Sequence, residues 1–186
     1  MGKFSRRQFL RLNPFRILGM STKRGPTLIV RPPGAVDEEF FAQTCEKCAK
    51  CSEKCPYGII EHLGPSAGQN EGTPNLTDPA SRPCRLCPDL PCIQACPSGA
   101  LQYPEGKIAA MATTVFQEDN CLNTQGVLCD ACENSCPGSI RAITMKGPFS
   151  KRIPSIDLEN CIGCGLCAYY CQEQGEAIHI KAIREI

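Results

Sequence analysis

Four runs of four cysteines constrain what this chain can become. Cys45, Cys48, Cys51 and Cys55 fall within 11 residues as C-x2-C-x2-C-x3-C, followed by Pro56. Cys84, Cys87, Cys92 and Cys96 repeat the run before Pro97 with two extra residues in the middle gap. Cys121, Cys129, Cys132 and Cys136 keep the terminal C-x3-C-P with Pro137 but open a seven-residue gap after the first thiol. Cys161, Cys164, Cys167 and Cys171 restore the tight spacing, with Gln172 in the proline's place. All 16 cysteines of the 186 residues are used, and none is left over.

Disulfides fit this spacing poorly, because C-x2-C pairs crowded into one short run cannot close eight well-separated loops. Structural zinc wants two C-x2-C knuckles far apart rather than four thiols on one stretch. The C-x2-C-x2-C-x3-C-P run is the spacing that holds [4Fe-4S] clusters. Three thiolates on a tight loop grip three irons, and the fourth points away to ligate the cluster of a partner run. Proline then fixes the chain as it leaves the loop. Each run therefore implies a partner run, and four sets of four suit four [4Fe-4S] clusters. The third set is the least regular, and its gap leaves room for a different choice of ligand.

Composition agrees. The 42% apolar content includes the cysteines, there is no Trp, and only 11 residues are aromatic. Such a thin supply of ordinary core suggests an inorganic filling. No apolar run approaches the roughly 20 residues that cross a bilayer. The formal net charge is +1, but residues 1–31 carry Lys3, Arg6, Arg7, Arg11, Arg16, Lys23, Arg24 and Arg31 with no carboxylate. The remainder holds 12 basic against 19 acidic side chains. Sixteen thiolates and four dicationic cubanes would take the chain to a formal charge of about −7. An anionic body favours cationic protein docking faces and excludes nucleic acid as a partner.

The chain reads as an α+β protein with two ferredoxin-like (bacterial dicluster) units, in which short strands and helices surround cluster-binding loops. Residues 1–36 form a basic lead-in ending in Arg31-Pro32-Pro33-Gly34, and residues 37–186 form the body. Asp37 offers an N-cap for a short helix from Glu38 to Ala42. Residues 64–83, rich in Gly, Pro, Ser, Asn and Thr, read as an excursion between units. Strands are expected over Met111–Phe116, Ala142–Lys146, Ile153–Asp157 and Ala177–Ile183. His62 and His179 read as ordinary surface residues, His179 on an alternating strand. No phosphate loop, nucleophile elbow or spaced carboxylate pair is present, so no catalytic residue is assigned.

Cys84-Arg85-Leu86-Cys87-Pro88-Asp89-Leu90-Pro91-Cys92, the stretch Cys96-Pro97-Ser98-Gly99-Ala100-Leu101, and Cys121-Leu122-Asn123-Thr124-Gln125-Gly126 resemble the NapG/MauM family of ferredoxin-type proteins, as does Val30-Arg31-Pro32-Pro33-Gly34-Ala35. The resemblance spans about residues 30–180. It implies an electron-transfer iron-sulfur subunit of periplasmic nitrate reductase and related systems. Such a subunit takes electrons from a quinol-oxidising membrane protein and passes them to a terminal oxidoreductase. It also implies nested pairing of the sets, with units 37–63 plus 147–186 enclosing 80–146. One cluster would then take Cys45, Cys48, Cys51 and Cys171, and a second Cys161, Cys164, Cys167 and Cys55. A third would take Cys84, Cys87, Cys92 and Cys136, and the last Cys121, Cys129, Cys132 and Cys96. Sequential pairing of neighbouring sets stays open, since the gaps between sets are similar.

The lead-in begins with Ser5-Arg6-Arg7-Gln8-Phe9-Leu10, a degenerate twin-arginine signature whose apolar stretch is broken by Arg11, Asn13, Pro14 and Arg16. The expectation is a chain that stays on the cytoplasmic side, touching the membrane peripherally through residues 1–31. The alternative is periplasmic location by twin-arginine export. A ferredoxin type of the same nitrate systems that remains in the cytoplasm has a similar lead-in, which gives the second functional expectation: a maturation ferredoxin for a molybdoenzyme.

Overall fold

The computed structural model describes residues 28–173 and 176–186. It mixes short helices and short antiparallel strands, as an α+β reading requires. The strands are β1 (Leu28–Ile29), β2 (Ile60–His62), β3 (Pro74–Leu76), β4 (Ala112–Phe116), β5 (Ile143–Lys146), β6 (Ile153–Ile156), β7 (Ile178–Ala182) and β8 (Arg184–Glu185). The helices are α1 (Glu38–Thr44), α2 (Lys50–Glu53), α3 (Pro91–Gln94), α4 (Ala131–Ser135) and α5 (Leu166–Tyr169). Each of α2 to α5 carries the third cysteine of one set.

Four two-stranded antiparallel pairings hold the described residues: β1 with β8, β2 with β3, β4 with β7 and β5 with β6. In β4 and β7, Ala112 faces Ala182 and Phe116 faces Ile178. The β-branched and aromatic residues of Thr113-Thr114-Val115-Phe116 suit such a pleated, half-buried ribbon. Between the third and fourth sets the β5–β6 hairpin turns the chain back. Between the first and second sets the β2–β3 hairpin does the same. An isolated antiparallel bridge joins Ala35, ahead of the first set, to Leu101, just beyond the second. The order strand, cysteine loop, helix, hairpin, cysteine loop, helix and returning strand thus runs twice along the chain.

The four expected strands match β4, β5, β6 and β7 to within one residue at either end. The expected helix forms as α1, although the Asp37 side chain makes no capping bond. His62 is exposed on β2 and His179 half-exposed on β7.

Two boundaries differ from the expectation. Leu28–Val36 is part of the body: Ile29, Val30, Arg31, Pro32, Pro33 and Ala35 are buried, so the basic lead-in ends earlier than residue 36. Residues 64–83 are no excursion between units. They complete the β2–β3 hairpin, and Thr73, Pro74, Leu76, Pro79 and Pro83 are buried. The remaining lead-in readings, including the twin-arginine stretch, lie outside the described residues.

The nested division 37–63 with 147–186 around 80–146 is also not the one the elements follow. α2 packs on α3, and α4 packs on α5, so each set sits beside its neighbour in sequence. A hairpin connection closes a short loop, which costs less chain entropy than bringing the first set back to the fourth.

Candidate metal centres

The cysteine loops are shaped by backbone conformations that recur at equivalent positions. The residue before the second cysteine is left-handed in three sets: Lys47 at φ 55°, Leu86 at φ 49° and Gly163 at φ 68°. The residue two before the third cysteine is left-handed in the same sets: Ala49 at φ 61°, Leu90 at φ 42° and Gly165 at φ 90°. A left-handed residue costs an L-amino acid roughly 1–2 kcal/mol, so four non-glycine cases at matched positions mark strain held for a purpose.

Three hollows are each lined by four cysteines. Cys45, Cys48, Cys51 and Cys96 line one, with Phe41 and Leu101 in its wall. Cys55, Cys84, Cys87 and Cys92 line a second, with Ile59 and Leu76. Cys121, Cys129, Cys132 and Cys171 line a third, with Phe116 and Ile178. The three hollows are alike in size. The remaining four cysteines also sit together. Burial pushes Cys164 up to about 11, helped by thiolate charge on Cys161 and on Cys136. Burial raises Cys167 too, again with Cys164 and Cys161 as charged neighbours.

In every group three cysteines come from one set, and the fourth is the last cysteine of the set adjacent in sequence. The nested sets expected from the resemblance are therefore corrected. Cys96 rather than Cys171 completes the hollow of Cys45, and Cys55 rather than Cys136 that of Cys84. Cys171 takes the place expected of Cys96 beside Cys121, and Cys136 that of Cys55 beside Cys161.

The donor chemistry fits a cubane better than the rival readings. All 16 cysteines are free thiols, so no disulfide forms. Among the described residues no three His, Cys, Asp or Glu side chains converge closely enough to hold a single metal ion, as a zinc knuckle would need. Four thiolates placed around one hollow instead match the donor set of a multi-atom cubane. Burial pushes Cys51, Cys92 and Cys132 to about 11 and Cys84 to about 12. Cys96 goes the other way. Burial works to raise it, but the N–H groups of Leu101, Ala100 and Gly99 and the Ser98 hydroxyl outweigh burial and bring it below the ordinary thiol value. The Leu101 N–H donates to Cys96 Sγ over 3.4 Å, and the Ala142 N–H to Cys136 Sγ over 3.3 Å. These are the fourth cysteines of two adjacent sets, each served by the chain leaving its own loop.

The third set lacks both left-handed positions and is shaped by a side chain that sequence reasoning passed over. Asn123, 5% exposed, donates from Nδ2 to the Cys129 carbonyl and accepts the Cys129 N–H at Oδ1 over 3.0 Å. This clamp turns the irregular gap into a closed loop. Two further residues were missed. Thr114 Oγ1 lies 3.2 Å from Cys161 Sγ. Arg31, counted with the basic lead-in, is fully buried behind the wall of the Cys45 hollow.

The halves meet through polar and aromatic contacts around the second and fourth sets. The Cys84 N–H donates to the Cys164 carbonyl over 2.9 Å. The Arg85 guanidinium lies 4.9 Å from the ring of Tyr169 and donates to the Tyr170 hydroxyl over 2.9 Å.

Comparison with known proteins fits these features. Residues 125–174 match the 4Fe-4S dicluster domain family, a stretch holding most of the third set and all of the fourth. The ferredoxin-type protein NapG of Escherichia coli (strain K12) is 35% identical over 173 residues, covering 88% of this chain and 74% of that protein. The methylamine utilization ferredoxin-type protein MauM of Methylobacillus flagellatus is 36% identical over 159 residues, covering 82% of this chain and 68% of that protein. The ferredoxin-type protein NapF of Escherichia coli (strain K12) is 30% identical over 144 residues, covering 76% of this chain and 79% of that protein. With cysteine loops of this form and relatives matched across most of both chains, the chain belongs to the NapG/MauM family of ferredoxin-type iron-sulfur electron-transfer proteins.

Proposed function

We propose that this chain is a non-catalytic electron-transfer subunit built as two ferredoxin-like units in tandem. It would hold four [4Fe-4S] clusters and relay single electrons between a quinol-linked membrane partner and a terminal, nitrate-reductase-like oxidoreductase. The ligand sets are Cys45, Cys48, Cys51 and Cys96; Cys84, Cys87, Cys92 and Cys55; Cys161, Cys164, Cys167 and Cys136; and Cys121, Cys129, Cys132 and Cys171. The observation that carries this reading is the recurrence of four-cysteine groups in one small body, adjacent groups sharing the two sets that supply them. When bound, each cubane takes up or gives up one electron.

The chain's own part is to hold the thiolates, keep water away and adjust charge. Phe41, Leu76, Phe116 and Ile178 give the hollows apolar walls. The N–H groups of Leu101 and Ala142 point at thiolate sulfur, where they favour added negative charge. The nitrate-reductase-like partner is inferred from the family resemblance alone. We further propose that the chain acts at the cytoplasmic face of the membrane. Fractionation of the full chain against a variant lacking residues 1–27, which keeps β1, tests this, and recovery of a processed product of the full chain from the periplasm would overturn it.

The test of function uses anaerobically purified protein. Chemical counting is expected to give about 16 iron and 16 sulfide per chain, and dithionite to produce the EPR signals of reduced cubanes. Mixing the reduced protein with its oxidised terminal partner is expected to reoxidise it rapidly. Tight binding to a metal-free partner with slow reoxidation would instead identify a maturation factor. A colourless protein without inorganic sulfide would end the proposal.

A further inference from the structure

Among the described residues Arg31 is the only charged side chain that is fully buried. A buried guanidinium costs several kcal/mol of lost hydration unless its donors are met. Those donors are met here. Nε and Nη2 grip Glu38 through both carboxylate oxygens at 3.1 and 2.5 Å. Nη1 donates to the Thr73 hydroxyl at 2.8 Å and to the Pro74 carbonyl at 2.7 Å. Nη2 also reaches Asn70 at 3.3 Å.

The group lies directly behind the hollow of Cys45, Cys48, Cys51 and Cys96. Its Cζ sits 4.4 Å from the centroid of Phe41, and Phe41 and Pro74 are both part of that hollow's wall. Glu38 does not simply cancel it, because Arg184, 14% exposed, approaches the same carboxylate at 3.5 Å. Two guanidinium groups against one carboxylate leave a net charge of +1, shut off from screening solvent on the Arg31 side.

We propose that the Arg31–Glu38–Arg184 set raises the reduction potential of the cluster held by Cys45, Cys48, Cys51 and Cys96. The proposal rests on the assignment of that cluster above. Reduction adds one electron, supplied by dithionite in the titration, to one cubane with its four thiolates and changes its formal charge from 2− to 3−. A fixed net positive charge behind an apolar wall favours the more negative state, and poor screening in a low-dielectric wall makes the interaction strong. The buried arginine of the Arg31-Pro32-Pro33-Gly34 segment thereby acquires a role that packing alone does not supply.

The experiment is an EPR-monitored potentiometric titration of the full chain with iron and sulfide counted in every sample. In Arg31→Gln and Arg184→Gln one of the titration waves is expected to move to more negative potential. In Glu38→Gln the same wave is expected to move to more positive potential, and in Arg31→Lys it is expected to stay near its original place. The other waves stay put in all four. Should Arg31→Gln fail to hold its iron, the opposite shifts of Arg184→Gln and Glu38→Gln carry the test. Shifts of one sign in all variants, or no shift at normal iron content, would overturn the electrostatic role. Absence of cubane iron from the unmutated chain would instead overturn the cluster assignment.

Discussion

The backbone N–H of Cys84 donates to the carbonyl of Cys164 over 2.9 Å, tying a cysteine of the second set directly to one of the fourth. Two other close approaches frame this bond. A Cβ on Gly165 would stand 1.9 Å from the Pro79 carbonyl oxygen, and one on Gly163 would stand 2.1 Å from that of Ala112. The fourth cysteine loop can reach Pro79 in the first half only because Gly165 has no side chain, and it lies flat on β4 of its own half because Gly163 has none.

Gly165→Ala should therefore open the junction. The residue sits at φ 90°, so the added methyl meets both backbone strain and the Pro79 carbonyl. The expected loss is about 3 kcal/mol, or roughly 6–12 °C in melting midpoint for a chain of this size. Anaerobic thermal melts of the loaded protein measure it, and a midpoint unchanged within error would show that the junction is not this tight.

Pairing of the sets can be read from iron counts in double variants. If Cys45 and Cys96 serve one cluster, Cys45→Ser with Cys96→Ser should cost about four irons, no more than either change alone. Cys45→Ser with Cys171→Ser should cost about eight, since two clusters are hit. The reverse pattern would restore the nested arrangement.

Asn123→Ala should selectively weaken the hollow of Cys121, Cys129, Cys132 and Cys171. The change leaves the Cys129 N–H and carbonyl without their partner, a cost of about 1–3 kcal/mol for a buried polar group. Under mild chelation this variant is expected to lose about four irons before the unmutated chain loses any. Uniform loss from all hollows would show that the clamp is not local.

Stripping the metal should reverse the thiol chemistry and expose a pH dependence. An unperturbed thiol ionises near 9.0, whereas burial pushes Cys51, Cys92 and Cys132 to about 11 and Cys84 to about 12 in the folded metal-free chain. Above pH 9 the folded chain then holds more protons than the unfolded one, so its stability falls as pH rises through that range. Metal-free protein is expected to melt at lower temperature at pH 10 than at pH 8, and at either pH below the loaded protein. Equal melting of metal-free protein at the two values would contradict the burial of those thiols.

Much of the local structure was legible because the relevant physics is local. β4 to β7 follow from β-branched and alternating residues, and α1 from the acidic start after Asp37. The loops of the first and fourth sets follow from thiol spacing alone. Arg31 was misread for the opposite reason. As a sequence symbol it is one more cation in a basic segment, and its burial depends on Glu38, Thr73 and Pro74 arriving from elsewhere. Asn123 was equally silent, since an asparagine in an irregular gap becomes a clamp only when the gap folds back on Cys129.

By itself the sequence determined that sixteen thiols would be presented in four groups, because spacing within runs of 11 to 16 residues keeps each set of four on one stretch of chain. It could not determine which runs face one another. That choice lay with the β2–β3 and β5–β6 hairpins, which join neighbouring sets, and with Gly165, which lets the halves touch at Cys84 and Cys164. Contacts between residues far apart in the chain depend on loop closure and steric fit across the whole body, and neither is written in the spacing of any one motif.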